Sequence, residues 1–134
     1  MDRVFLDANI LFSAAYLPQA GLRRLWDLAG VTLLTSAYAV EEARINLPEN
    51  DPRQRLEALV ATIKVTASAP SDRPLPPEVA LPDKDRPIVL GAIATHATHL
   101  LTGDLTHFGP YYGKIIEGVL ILRPAEYLRS HTDP

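Results

Sequence analysis

The sequence contains no cysteine. Structural disulfides, thiolate zinc sites, iron–sulfur clusters and cysteine nucleophiles are therefore excluded, and any metal would have to be held by carboxylate or imidazole. No apolar run approaches the roughly 18 residues of a membrane span. Met1-Asp2-Arg3-Val4 leads straight into a short apolar segment, without the long apolar stretch and cleavage site of a signal peptide, so the expected location is the cytoplasm. Positive charge is not in excess either: 13 Lys and Arg against 16 Asp and Glu leave −3, which argues against the broad basic surface of a sequence-independent nucleic-acid binder. Lysine is scarce, at Lys64, Lys84 and Lys114, so arginine, the better bidentate partner for phosphate, supplies most of the basic side chains. What remains is ordinary for a globular chain: 134 residues, 47% apolar and 22% charged, enough for one domain spanning 1–134 with a core that needs no covalent staple.

Periodicity predicts strands alternating with helices. Val4-Phe5-Leu6 reads as a strand ending at Asp7, followed by a helix from Ile10 to Tyr16. A second helix is expected over Ala20 to Gly30, then a strand over Val31–Thr35, a helix from Ala37 to Leu47 capped by Ser36, and another from Asp51-Pro52 through Ile63. Lys64–Thr66 is a third strand. Pro70 to Pro87 is proline-rich and predicts an irregular connector, a stiff loop inside the domain in preference to a polyproline ligand at Pro74-Leu75-Pro76-Pro77. Asp85 is expected to cap a helix over Arg86–His96, followed by a strand over Thr98–Thr102, a Gly103-Asp104 turn, a strand over Gly118–Leu122 and a helix over Pro124–Arg129. Strands that are continuous apolar runs indicate a mainly parallel sheet covered on both faces, an α/β fold of three layers.

In such sheets working residues collect just beyond the carboxyl ends of the strands. Asp7 and Asp104 follow strands, Asp85 starts a helix, and Glu41 or Glu42 lies on the helix after Ser36. Singly, each has a plain explanation as turn, cap or solvated helical face. Together on one edge they would repel and raise one another's pKa unless a cation neutralised them, and oxygen ligands without thiolate point to Mg²⁺ or Mn²⁺. The corresponding chemistry is metal-assisted displacement at phosphorus. On the same logic, Asp7→Asn and Asp104→Asn are both expected to stabilise the metal-free fold.

Four segments carry a resemblance: Val4-Phe5-Leu6-Asp7-Ala8-Asn9, Thr35-Ser36-Ala37-Tyr38-Ala39-Val40-Glu41-Glu42, Asp85-Arg86-Pro87-Ile88-Val89, and Leu101-Thr102-Gly103-Asp104-Leu105-Thr106-His107-Phe108. In this order they resemble the motifs of PIN-domain ribonucleases, and most of all the small VapC-like toxins of toxin–antitoxin pairs. The resemblance implies an α/β/α sandwich and an endoribonuclease that hydrolyses RNA phosphodiesters with Mg²⁺ or Mn²⁺. It implies Asp7, Glu42, Asp85 and Asp104 as catalytic and metal-binding acids, with Glu42 preferred over Glu41 because it stands six residues after Ser36, and Asp85 preferred over Asp83. Adjacent helical residues point about 100° apart, so one of Glu41 and Glu42 at most can face the site. Asn9 and Thr102 are expected beside the acids, and His107, Arg44 and Arg86 near the substrate. The implied partners are an RNA, a small antitoxin protein and, in some members, a second copy of the chain, with no membrane.

Two other readings bear on the same residues. A catalytically silent PIN-like module would bind RNA or protein without cutting. A haloacid-dehalogenase-like phosphatase also begins with a strand ending in aspartate, but wants a second aspartate where this chain has Asn9.

Overall fold

The computed structural model describes residues 1–67 and 73–131. Among these residues six strands form one sheet: β1 (Asp2–Leu6), β2 (Val31–Ser36), β3 (Lys64–Thr66), β4 (His99–Leu101), β5 (Ile115–Ile116) and β6 (Val119–Leu122). Their spatial order is β3-β2-β1-β4-β6-β5, parallel throughout except for the β5–β6 pair. The helices are α1 (Ala8–Tyr16), α2 (Ala37–Asn46), α3 (Asp51–Val60), α4 (Arg86–Ala94), α5 (Leu105–Phe108) and α6 (Pro124–Arg129).

Val4, Phe5 and Leu6 are all fully buried. Successive strand residues point to opposite faces, so both faces of β1 are covered, as its unbroken apolar run requires. Phe5 faces α4, where a Cβ built on Gly91 would lie 2.9 Å from its ring; Val4 and Leu6 face the other way. Helix α1 packs against α2 and α3, and α4 packs on β2 and β4. The result is the α/β/α layering expected of a mainly parallel sheet.

Chain direction across the sheet reverses at β1, which has β2 on one side and β4 on the other. A crevice opens where neighbouring parallel strands lead into connections on opposite sides, and ligands of α/β sheets bind there. Asp7, immediately after β1, and Thr102, immediately after β4, flank this point, and the Asp7 N–H continues the ladder by donating to Leu101 O at 3.1 Å.

Three expectations are corrected. The Ala20–Gly30 segment is a 3₁₀ helix over Gly21–Asp27, not an α-helix. Leu22 and Leu25 both pack toward the core, and a three-residue spacing aligns them on one side when there are three residues per turn. The Gly103-Asp104 turn continues into α5, and the Gly118–Leu122 strand is one arm of a hairpin whose other arm is β5. Glu117 and Gly118 both have positive φ (45° and 86°), the signature of a tight two-residue hairpin turn. Finally, Asp85 occupies the cap position of α4 but donates no cap: its side chain bonds no helical N–H. Pro87, at the second helical position, has no N–H to offer, and the Ile88 N–H is taken by the Asp85 carbonyl at 3.2 Å.

Of the proline connector, Pro70–Asp72 lie outside the described residues. The remainder is irregular and anchored, with Leu75, Val79 and Leu81 against the core and the Tyr111 hydroxyl accepting from Ala80 N at 2.7 Å. It thus delivers Lys84 and Asp85 to a fixed place.

Candidate metal and active site

Each acid reaches the crevice by a different local device. Asp7 caps α1 by accepting from Ala8 N at 2.6 Å through Oδ1. Its Oδ2 accepts from the Thr102 hydroxyl at 2.8 Å and from Asn9 Nδ2 at 3.3 Å. Asn9 Oδ1 in turn accepts from Gly103 N at 2.9 Å, and Thr102 Oγ1 accepts from Asp104 N at 3.1 Å. Asn9 and Thr102 therefore tie the loop after β1 to the loop after β4 and fix the Asp7 carboxylate between them.

Asp104 caps α5, accepting from His107 N at 3.1 Å. That short turn also brings the His107 ring back onto the same carboxylate, with Nδ1 2.7 Å from Asp104 Oδ2. The ring sits 3.3 Å from Asp85 Oδ2 as well, within ion-pair range. It makes no hydrogen bond there: Asp85 Oδ2 is buried and without a hydrogen-bond partner. Asp85 Oδ1 lies 3.4 Å from Lys84 Nζ, whose side chain is 59% exposed.

Glu42 lines the crevice from α2, whereas Glu41 is exposed and paired with Arg44 on the outside of the helix. Asp7, Asn9, Glu42, Asp85 and Asp104 share one open cavity of about 340 Å³. Asp83 is not among its described lining residues. Neither Arg44 nor Arg86 lines it: Arg44 is held by Glu41, and Arg86 donates to the Arg73 carbonyl at 3.0 Å. Basic charge at the crevice comes instead from Lys84, which sequence reasoning passed over although it adjoins Asp85. Ser13 and Asn46 also line it, each four residues along a helix from an expected site residue, Asn9 and Glu42.

Electrostatics separate the acids. Burial pushes the Asp7 carboxyl up to about 6, against the Thr102 and Ala8 hydrogen bonds, and the charges of Asp85 and Glu42 add to the rise. Burial also acts to raise Asp104, but the His107 N–H, ring and charge outweigh it and hold that carboxyl below its ordinary value. This direction is opposite to the one expected from repulsion among the acids, because hydrogen bonds from His107 favour the ionised Asp104 carboxylate. Beside the cluster, burial and then the Glu42 charge push the Tyr38 hydroxyl up to about 12; it donates to the Lys84 carbonyl at 2.7 Å.

The mainly parallel sheet has the fold of VapC-type PIN-domain chains in solved structures, and carboxylates from the end of β1, α2, the start of α4 and the loop after β4 gather at its switch point. No family model matches the chain, and no curated protein matches it by sequence. Among solved structures, the VapBC2 complex of Rickettsia felis bound to a promoter DNA fragment contains a similar chain, with a TM-score of 0.68 at 14% identity, covering 90% of this chain and 98% of that one. VapC20 of Mycobacterium tuberculosis, a toxin that cleaves the sarcin–ricin loop, is similar with a TM-score of 0.58 at 11% identity over 84% of this chain and 98% of its own. A FitAB complex bound to DNA contains another, at 0.54 and 18% identity over 90% and 94%. At these identities the likeness is one of fold.

Proposed function

We propose that the chain is a divalent-metal-dependent endoribonuclease and the toxin of a toxin–antitoxin pair, acting in the cytoplasm on RNA and held in check by a short antitoxin protein. The observation that carries the reading is the Asp85 carboxylate. It is buried, freed from helix capping by Pro87, and lines a cavity shared with three other acids, with one oxygen that makes no hydrogen bond. A buried carboxylate oxygen left without a donor is costly, and a cation removes that cost.

The donor set fits a hard divalent ion, Mg²⁺ or Mn²⁺, with Asp7, Glu42, Asp85 and Asp104 as the residues that would hold it. When bound, such an ion neutralises charge on the scissile phosphate and lowers the pKa of an attacking water. The chain's own groups supply the rest. Asn9 and Thr102 keep Asp7 in one orientation, so its oxygens need no reorganisation as charge moves. Lys84 offers a partner to a phosphate oxygen of the RNA backbone. Water adds across the bond between phosphorus and the 3′ oxygen, leaving 5′-phosphate and 3′-hydroxyl ends.

Purified protein incubated with a pool of structured RNAs should cut them with Mg²⁺ or Mn²⁺ and not with chelator, and Asp7→Asn should abolish cutting while remaining folded. RNA binding without cutting in any metal would overturn the nuclease and leave a PIN-like binding module.

A further inference from the structure

We infer that His107 is a nitrogen ligand of the ion held by Asp85 and Asp104, which makes the centre a mixed carboxylate–imidazole site that prefers Mn²⁺ to Mg²⁺. The inference rests on the metal-site reading above and adds a residue that the four-acid motif does not contain.

Three observations converge on it. One donor atom each from Asp85, Asp104 and His107 lies within 4.8 Å of the others, close to the at most ~4.2 Å that separates ligand atoms ~2.1 Å from a shared ion. The ring is placed there by the backbone, because Asp104 caps α5 and His107 is its third helical residue, the spacing at which a side chain folds back toward the cap. Phe108, fully buried, anchors that turn. The third observation is Asp85 Oδ2, which is buried and has no hydrogen-bond partner although His107 Nδ1 is 3.3 Å away. The proximity of that ring leaves the oxygen unsatisfied, whereas an ion between the two would satisfy both.

Neutral imidazole carries one hydrogen, on either nitrogen. Without metal, Nδ1–H serves Asp104; a ring one-third exposed can carry that hydrogen on Nε2 against water, leaving the Nδ1 lone pair to face the acids. Mg²⁺ demands oxygen ligands and near-ideal octahedral geometry, while first-row transition ions accept imidazole readily. Replacing one oxygen donor by imidazole therefore costs Mg²⁺ more than Mn²⁺.

Pulsed electron paramagnetic resonance on the full chain loaded with Mn²⁺ reads the ligand directly. Wild type should show coupling to ¹⁴N that changes to the ¹⁵N pattern when histidine alone is ¹⁵N-labelled, and His107→Gln should bind Mn²⁺ without that coupling. Competition titrations should show the preference for Mn²⁺ over Mg²⁺ falling about tenfold or more in His107→Gln, the scale at which groups in a metal site act. Mn²⁺ that binds, is lost in Asp85→Asn, and shows no nitrogen coupling would overturn the inference and leave the carboxylate site standing. Coupling that persists in His107→Gln would overturn it too. Absence of any Mn²⁺ binding would overturn both.

Discussion

Asp7 and Asp104 carry the same side chain in opposite electrostatic situations. Asp7 is buried among hydrogen-bond donors that do not fully replace water, so its carboxyl titrates near 6 in the fold against 3.8 in the open chain. A raised carboxylate pKa costs nothing below the unfolded value, where both states are protonated; the cost grows as pH climbs between the two values and is complete above the folded one. At ~1.4 kcal/mol per unit it amounts to about 3 kcal/mol at neutral pH. Asp7→Asn is therefore expected to stabilise metal-free protein by about 1–3 kcal/mol at pH 7.5, the lower end allowing for weakened bonds to Thr102 and Asn9. Urea denaturation in chelator should show that gain shrinking toward zero near pH 4. Asp104 has the opposite sign: its lowered pKa means that the ionised form contributes stability, present above the unfolded value and lost as pH falls through the folded one. Asp104→Asn should thus destabilise the metal-free protein at pH 7.5, visible as a lower melting temperature in the same buffer. The positions of Asp7, Asp85 and Asp104 were legible from two strand ends and a helix start. Their separate energetics were not, because these depend on Thr102 and His107 side chains that reach Asp7 and Asp104 only once the loops are folded.

Among the elements, the contact between β1 and α4 is the most demanding. Gly91 lets the helix lie against the Phe5 ring, and a Cβ there would come within 2.9 Å of Phe5 Cζ. Alanine adds about 1 kcal/mol of helix propensity over glycine, while forcing a fully buried ring aside costs about 1–3 kcal/mol. Gly91→Ala is expected to be destabilising on balance, and adding Phe5→Leu should recover part of the loss in denaturant melts. Strands and helices such as α2 and α6 could be read from apolar runs and helix-start residues, since Ser36 caps α2 and Pro124 opens α6. The short pieces could not. The two-residue strand β5 exists because Glu117-Gly118 turns the chain onto β6, and α5 exists because Asp104 caps it; four-residue and two-residue segments are too short to display a period.

For the molecule as a whole, the chain assembles acids from four places along its length at the one point where the sheet's connectivity reverses. Setting the four aside, the formal charge changes from −3 to −3 + 4 = +1, so the rest of the chain is nearly neutral, which is compatible with the RNA substrate proposed above. Binding that occurs only in the folded state stabilises it by ~2.7 kcal/mol when ligand is at about 100 times its dissociation constant. Saturating Mn²⁺ should accordingly raise the melting temperature of wild type by several degrees, and chelator should reverse the rise. The overall layout was legible because parallel strands must be buried on both faces, whereas the choice between Glu41 and Glu42 becomes visible only with α2 in place, Glu41 turned outward to Arg44 and Glu42 lining the crevice.

The most direct test of the acid crevice is calorimetric titration of Mn²⁺ into metal-free wild type and Asp85→Asn at pH 7.5. Saturable binding by wild type that is lost in the variant is the expected result; equal binding by both, or none by either, would contradict a cation site built on Asp85.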